Sequence, residues 1–469
     1  MSININRLTA ALRRDGLSIS RQDHIWRIRR IDDPDITADV LLPDGFPVER
    51  KAIHQLMAFA STAHPSGGAV HRVIATPDFH PGEIVPVGAV LATSPDLVIP
   101  QAIGTDINCG MRLHVADLDL TRFAAGRDAL VEKLRAVLLL GRRDLPMTPS
   151  TMAAMFQHGL LGWLESVDPK GDLARMDLAQ IEDEVERVFR LGSEEGDVSA
   201  APPSLLPPDR EVLRDSYLAT IGGGNHFVEL QVVEEILDRR AAWHWGVRPG
   251  NIAVMVHSGS RSVGRHIGRQ WITHARTAWP TDQTRPVITP LFGEHAHRYV
   301  AAMHTAANYA SVNRMLLAEL VRLAMREVFD ADLAVPLVFD APHNLVFEED
   351  SMLIHRKGAT PAHAGQPVLI PGSMGHSSYL MIGLGNPDFL SSASHGAGRA
   401  RTRGQMHQLA RSGGDLGLSC VNCITLKEER KIQEAPAAYK PIQEVIDVQV
   451  EAGIVAPVAR MRPLLTFKA

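Results

Sequence analysis

Cysteine is scarce in this chain, with three among 469 residues. So few cannot build a disulfide framework, and they suit a reducing cytosol. Long apolar runs are missing too. No segment approaches ~18 uninterrupted apolar residues, so no membrane span is expected. Residues 1–20 carry Arg13 and Arg14 with no apolar run behind them, so no signal peptide is legible and the expected location is the cytoplasm. Positive charge is not in excess either: 48 Lys and Arg against 53 Asp and Glu leave a net charge of −5. That excludes a chain coated in basic residues, but not a local basic groove that meets phosphate. Internal repeats and low-complexity tracts are absent. What is there is 45% hydrophobic and 22% charged, a globular mixture with ample material for a core.

Hydrophobic patterning sets the organisation. Residues 70–93 read as short β-prone pieces interrupted by the turn 77–82. After a loop holding Asp106 and Cys109, Met111, Leu113 and Val115 alternate with Arg112, His114 and Ala116, which predicts a strand. Residues 122–140 and 174–191 predict amphipathic helices, the second with Glu182, Asp183, Glu184 and Glu186 on a solvated face. A Ser/Pro-rich loop follows over 192–209, and 118–217 as a whole reads as a helical insertion on a single catalytic core. Strands are expected at 227–233, 252–256, 335–339 and 368–370. Residues 295–329 read as two core helices, and 442–460 as a helix before a short tail at 464–469.

Five short stretches bordered by small residues each offer a metal-binding side chain, and four of the five follow apolar, strand-like runs. They are 104–112 with Asp106 and Cys109, 222–227 with His226, 257–261 with His257, 342–344 with His343, and 394–399 with His395. Ligands scattered on strand-held loops are how enzyme sites are built, whereas structural zinc modules keep theirs in tight local pairs. A free cysteine is usually a small buried hydrophobe, and a lone histidine is usually satisfied by its surroundings. Three histidines in separate loops, with an aspartate and a cysteine, fit a binuclear N/O/S site better than coincidence. A thiolate can bridge two divalent ions while Asp106 ligates one of them. Such mixed ligation suits Mn²⁺, Fe²⁺, Co²⁺ or Zn²⁺ without choosing among them.

His395 stands within Gly396, Ala397 and Gly398, with Arg399, Arg401, Arg403 and Arg411 behind it and no acid from Ser391 to Arg411. A histidine so placed can attack phosphorus or act as a general acid. The alternative is a basic loop that binds phosphate without chemistry. Residues 371–375 read as a phosphate- or base-contacting turn. Cys420 and Cys423 form a CxxC pair with no second pair to complete a zinc site, and are read as structural or incidental.

In order, these stretches resemble the RtcB family of RNA-splicing ligases, from about Pro77 to Lys468. The likeness rests on the Asp106–Cys109 loop, Gly-Asn-His-Phe at 224–227, His-Ser-Gly-Ser-Arg at 257–261 and His-Asn at 343–344. Arg-Lys-Gly-Ala-Thr at 356–360 with Pro-Gly-Ser-Met at 371–374, and Ser-His-Gly-Ala-Gly-Arg at 394–399, complete the set. Residues 434–440 and Lys468 match as well. The resemblance implies a single compact α+β domain with a sheet-lined cleft. It implies an enzyme of RNA repair or tRNA splicing that uses GTP and two Mn²⁺ ions. Its partners would be RNA with a 3′-phosphate or 2′,3′-cyclic phosphate, RNA with a 5′-hydroxyl, and an archease-like activator.

By the same resemblance Cys109 would bridge the two ions, one also held by His257 and His343, the other by Asp106 and His226. His395 would accept GMP and pass it to the RNA 3′ end. Glu229 and Lys468 would read guanine, and Tyr439 would stack on it. Asn225, His226, Phe227, Val228, His343, Asn344, Pro371, Gly372, Ser373, Met374, Ser378, Gly396, Ala397 and Gly398 would line the nucleotide. Arg261, Lys357, Arg399 and Arg403 are candidates for the RNA backbone. The chain departs from the family at Asn108 (commonly glycine), His376 (usually threonine), Glu83-Ile84 (typically Tyr-Gly) and 400–402. All proposed ligands are intact, which implies a divergent paralogue with a working core. The rivals are a binuclear metallophosphoesterase, which would not need guanine readers, and a catalytically idle RNA-binding paralogue, which would have lost ligands.

Overall fold

Short apolar strands separated by glycine and proline turns pair into two large sheets. The structure, a computed structural model, describes residues 5–46 and 49–469. The first sheet has seven strands in the order Leu17–Gln22, Ile25–Arg30, Thr37–Leu41, Val70–His80, Val87–Thr93, Met352–Lys357 and Asn344–Glu349. The second runs Leu337–Pro342, Gly110–Asp119, Asn251–Ser258, Phe227–Ile236, Val455–Lys468, Ser378–Gly383 and Pro367–Ile370, with Cys423–Thr425 added in parallel beside Val455–Lys468. The chain passes directly from the second sheet to the first at His343, between Pro342 and Asn344. That seam is where the site forms. The architecture is the mixed, single compact domain that the sequence reading expects.

One helix, Glu294–Val328, spans 35 residues, where two had been expected. It contains no glycine or proline, so nothing in it forces a break. Every residue from Thr305 to Arg322 is buried, and the polar ones are held from outside. Asn308 donates to the carbonyls of Phe156 and Glu194, and Asn313 to the Ser258 hydroxyl and the Gly259 carbonyl. Leu120–Leu134, continued by a π turn at Arg135–Leu139, and Pro149–Ser166 pack on this helix, so much of the segment 118–217 is helical.

Three other expectations need correction. Residues 442–460 are helical only over Ile442–Glu451; Gly453, at φ +65°, ends the helix, and Val455–Lys468 is a central strand that absorbs the tail. Pairing on both sides of that strand outweighs its helical period. The helix expected at 174–191 is reduced to Leu178–Asp183 with short 3-10 turns on either side. Glu184, expected on a solvated face, is instead buried, accepting from Arg322 Nη2 at 2.8 and 2.9 Å and from the Leu337 amide at 2.9 Å. That buried ion pair draws the chain inward. Pro77 does not divide 70–93 as expected: Val70–His80 is one strand, with a register shift between Ala75 and His80 that accommodates the proline. Among the described residues no helix is long and apolar enough to cross a membrane.

Candidate active site

Strand register assembles the ligands. Gly110, next to Cys109, lies opposite Ser258 on one side and Pro342 on the other. His257 lies opposite Met111 and also opposite Phe227, the residue after His226. Cys109, His226, His257 and His343 therefore meet at one edge of three adjacent strand pairs, although 234 positions separate the first from the last (343 − 109). The loop carrying Asp106 is pinned from several directions. The Asn108 amide donates to the Asn344 carbonyl (2.8 Å), the His343 amide to the Cys109 carbonyl (2.7 Å), and Arg314 Nη1 to the Asn108 carbonyl (2.6 Å).

Cys109 Sγ lies 3.1 Å from Nε2 of both His226 and His257. His226 Nε2 is 3.0 Å from Asp106 Oδ2, and His257 Nε2 is 3.2 Å from His343 Nε2. The donors fall into two sets sharing the sulfur: Cys109, His257 and His343, and Asp106, Cys109 and His226. Burial pushes the Cys109 thiol well above its ordinary range, and neighbouring Asp106 adds to it. Burial, then adjacent imidazoles, holds His257 and His343 well below theirs, in the neutral form that binds metal. Burial alone would raise the Asp106 carboxyl, but His226, Lys357 and the Cys109 hydrogen bond together outweigh it and hold the group low.

These residues fit a pair of divalent cations. Nε2 of three imidazoles, a thiol and a carboxylate converge with no positive charge between them. Space is reserved as well: a Cβ on Gly259 would meet Asp106 Oδ1 at 2.5 Å. Sulfur, imidazole and carboxylate together suit borderline first-row ions.

His395 follows the short strand Ser392–Ser394, and its ring sits 4.8 Å from that of His343. Its Nδ1 is 2.5 Å from Oδ2 of Asp78, whose other oxygen accepts from the Thr76 hydroxyl at 2.6 Å. Asp78 is fully buried. Burial raises its carboxyl, but the charge and hydrogen bond of His395 prevail and hold it below the usual range. With Nδ1 engaged, Nε2 is the nitrogen left for chemistry. Lys440 Nζ donates to the Pro77 and Phe79 carbonyls and so fixes the segment that presents Asp78.

A cavity of about 270 Å³ opens beside this pair and the ligand cluster. Its walls include Asn225, Phe227, Glu229, Asn344, Lys357, Pro371, Gly372, Ser373, Met374, Gly396, Ala397, Gly398, Arg399, Arg403, Tyr439 and Lys468. Glu229 and Lys468 come from neighbouring strands through the Thr466–Glu229 and Phe467–Val228 pairs. Burial lifts the Glu229 carboxyl to about 7, against the opposing hydrogen bonds of Thr466 and Gln231 and the charge of Lys468. Lys468 Nζ donates to the His226 carbonyl at 3.1 Å. Arg399 lies over one face of Tyr439 at 5.4 Å and donates to Glu434, as does Arg403.

Not every expected residue reaches this cavity. The Val228 side chain turns into the core on the other face of its sheet. Ser378 sits behind the wall, accepting from Gln231 and from the Gly372 amide. Arg261 lies on the far side of the cluster; a Cβ on Gly222 would meet its Nη1 at 2.2 Å and His226 Nδ1 at 2.7 Å. Conversely, sequence reading assigned no role to Asp78, Glu434, Thr466, His80 or Arg314. Asp78 left no local signal, since it falls in a stretch that reads as a turn and its strand also carries His71, Arg72, Thr76 and His80, and Glu434 lay in a stretch matched only by resemblance.

A family model described as tRNA-splicing ligase RtcB matches residues 55–469. The RNA-splicing ligase RtcB of Mycobacterium tuberculosis is 33% identical, over 85% of this chain and 96% of its own. The tRNA-splicing ligases RtcB of Aeropyrum pernix and Thermococcus kodakarensis are 30% and 28% identical, covering 94% and 96% of this chain and 97% and 99% of theirs.

Proposed function

The chain belongs to the RtcB family of RNA-splicing ligases, and from that premise we propose that it joins a 3′-phosphate or 2′,3′-cyclic phosphate RNA end to a 5′-hydroxyl end through a GMP–histidine intermediate. The observation that carries the reading is the buried Asp78–His395 pair, placed between the ligand cluster and a cavity holding Glu229 and Lys468.

Asp78 fixes the Nδ1–H tautomer of His395, so Nε2 presents a lone pair. Nε2 attacks the α-phosphorus of GTP; a P–N bond forms, the P–O bond to pyrophosphate breaks, and the imidazolium is stabilised by Asp78. Where the end is a 2′,3′-cyclic phosphate, water first attacks phosphorus and breaks the bond to O2′, leaving a 2′-hydroxyl and a 3′-phosphate. An oxygen of that 3′-phosphate then attacks the phosphorus of the GMP adduct, and His395 leaves. The 5′-hydroxyl finally attacks the RNA phosphate, releasing GMP and losing its proton. A phosphate monoester is a poor electrophile until GMP becomes its leaving group, which explains why a nucleotide is needed. Two Mn²⁺ ions, held by Asp106, Cys109, His226, His257 and His343, would supply charge neutralisation at the reacting phosphates. Glu229 accepts from guanine N1–H and its exocyclic amine, and Lys468 donates to O6, a pattern adenine reverses. Lys357, Arg399 and Arg403 on the cavity wall, and Arg261 beyond the cluster, take RNA phosphates. An archease-like activator belongs to the same reading and would raise turnover when added.

Incubation with Mn²⁺ and GTP labelled at the α-phosphate tests this. The expected product is a protein–GMP adduct labile to acid, stable to base, absent in His395→Ala, and discharged by RNA bearing a 3′-phosphate. Phosphate release without any adduct would favour the hydrolase instead.

A further inference from the structure

Apart from the nucleotide cavity, a second groove lies against the helix that follows the His257 strand. Arg261, held in a left-handed conformation at φ +53°, opens the helix Arg261–Ala278. Strain of that kind needs support from its surroundings. Here Arg261 Nε donates to the Thr220 hydroxyl at 2.9 Å, and that hydroxyl donates to the Tyr217 carbonyl. Hydrogen bonds thus link Arg261, which stands near His226, to Tyr217.

At Tyr217 a groove of about 320 Å³ opens over Leu205 and Leu213, with Ser262 and His266 among its walls. Arg265 and Arg269 are exposed along the same helix face as Ser262 and His266, since residues three and four apart share a face. The acid in the groove is occupied: Asp215 accepts from the Tyr309 hydroxyl at 2.5 Å and from the Tyr217 amide at 2.9 Å. Among the Phe, Tyr and Trp rings of the described residues, Tyr217 and Trp243 are the exposed ones. Arg248 covers Trp243 at 6.0 Å, whereas among the described residues no ring or guanidinium stacks on Tyr217.

We propose that this groove is a subsite for single-stranded RNA entering the metal centre, with a base stacked on Tyr217 and backbone phosphates along Arg265 and Arg269. An open aromatic face beside cations is the combination that binds unpaired RNA without regard to sequence. The floor leucines are buried, so a protein partner would find little apolar surface here. The proposal rests on the reading above only in taking RNA as the substrate.

Its test is fluorescence anisotropy at fixed salt, with a labelled, unpaired RNA of about a dozen nucleotides bearing a 5′-hydroxyl and a 3′-phosphate. Tyr217→Ala should weaken binding by about tenfold, and Tyr217→Trp should restore it. Arg265→Ala should weaken binding and flatten its salt dependence. Wild-type affinity in Tyr217→Ala, or failure of tryptophan to restore it, overturns the subsite. Wild-type GMP labelling, run alongside, separates the two ideas: Tyr217-dependent binding without labelling removes the ligation chemistry but keeps the groove, and labelling with Tyr217-independent binding does the reverse.

Discussion

Asp78→Asn isolates the electrostatic part of the proposed nucleophile. Asparagine keeps the shape of aspartate, and its carbonyl can still accept from His395 Nδ1, now 2.5 Å from the carboxylate. What is lost is the negative charge beside a ring that becomes an imidazolium when phosphorus is attacked. Centres about 4–5 Å apart interact by about 3–4 kcal/mol at the effective dielectric suited to protein sites. That corresponds to a loss of about 10²–10³ in the rate of GMP transfer. The amide adds a second hazard. If its NH₂ faces the ring, the proton moves to Nε2 and the attacking lone pair disappears, a failure of the kind seen when a triad aspartate becomes asparagine. Asp78 is bonded to Thr76 and His395 rather than to the ligand cluster, so metal content should hold. The assay is the initial rate of label transfer from GTP to protein, quenched in base, with metal analysis of the same samples. Labelling within about threefold of wild type, with metals bound, would refute the charge argument.

Three further predictions concern the same region. In the proposed reading guanine needs Glu229 ionised, and burial lifts that carboxyl to about 7, so GTP should bind about tenfold tighter at pH 8 than at pH 6, and Glu229→Gln should flatten that profile. The sign reverses for stability: between the unfolded value and about 7 the native carboxyl holds a proton that the unfolded chain has lost, so the ligand-free Tm should fall as pH rises through that window. A GTP titration unchanged by pH in wild type would discard Glu229 as the reader. Because both donor sets share one sulfur, Cys109→Ala should lose both metals whereas His226→Ala should lose mainly one. Two ions still bound to Cys109→Ala at wild-type affinity would contradict the bridge.

The clustered donors were legible because each sits beside small residues near a strand end. Their partners were not, because they arrive from elsewhere in the chain. The loop 391–411 contains no acid, yet in space Asp78 comes to His395 from 317 positions away and Glu434 comes to Arg399 and Arg403. A one-dimensional reading of an acid-free basic loop therefore exaggerates the charge available to phosphate there. The misread elements have a similar cause. Glu184 looked like a surface acid because its partner Arg322 lies far along the chain, and 455–460 looked helical because strands that pair on both sides follow no local period.

The departures from the family sort by depth. Glu83, Ile84, His376 and residues 400–402 are exposed, whereas Asn108 is buried in the ligand loop. Asn108 adopts φ +51°, a conformation glycine takes freely and asparagine tolerates better than most residues. It also gains contacts glycine could not make, donating to the Ala307 carbonyl at 2.6 Å and the Ser311 hydroxyl at 3.2 Å on the long helix. The substitution therefore ties the loop down further. The ligand edge is guarded in another way: a one-residue slip in a strand pair would turn every side chain to the opposite face, so the ladders that place His257 opposite both Met111 and Phe227 leave little room for variation. Exposed loops carry no such constraint. Of the departures that the resemblance singles out, all but Asn108 therefore lie where a change leaves the clustered donors undisturbed.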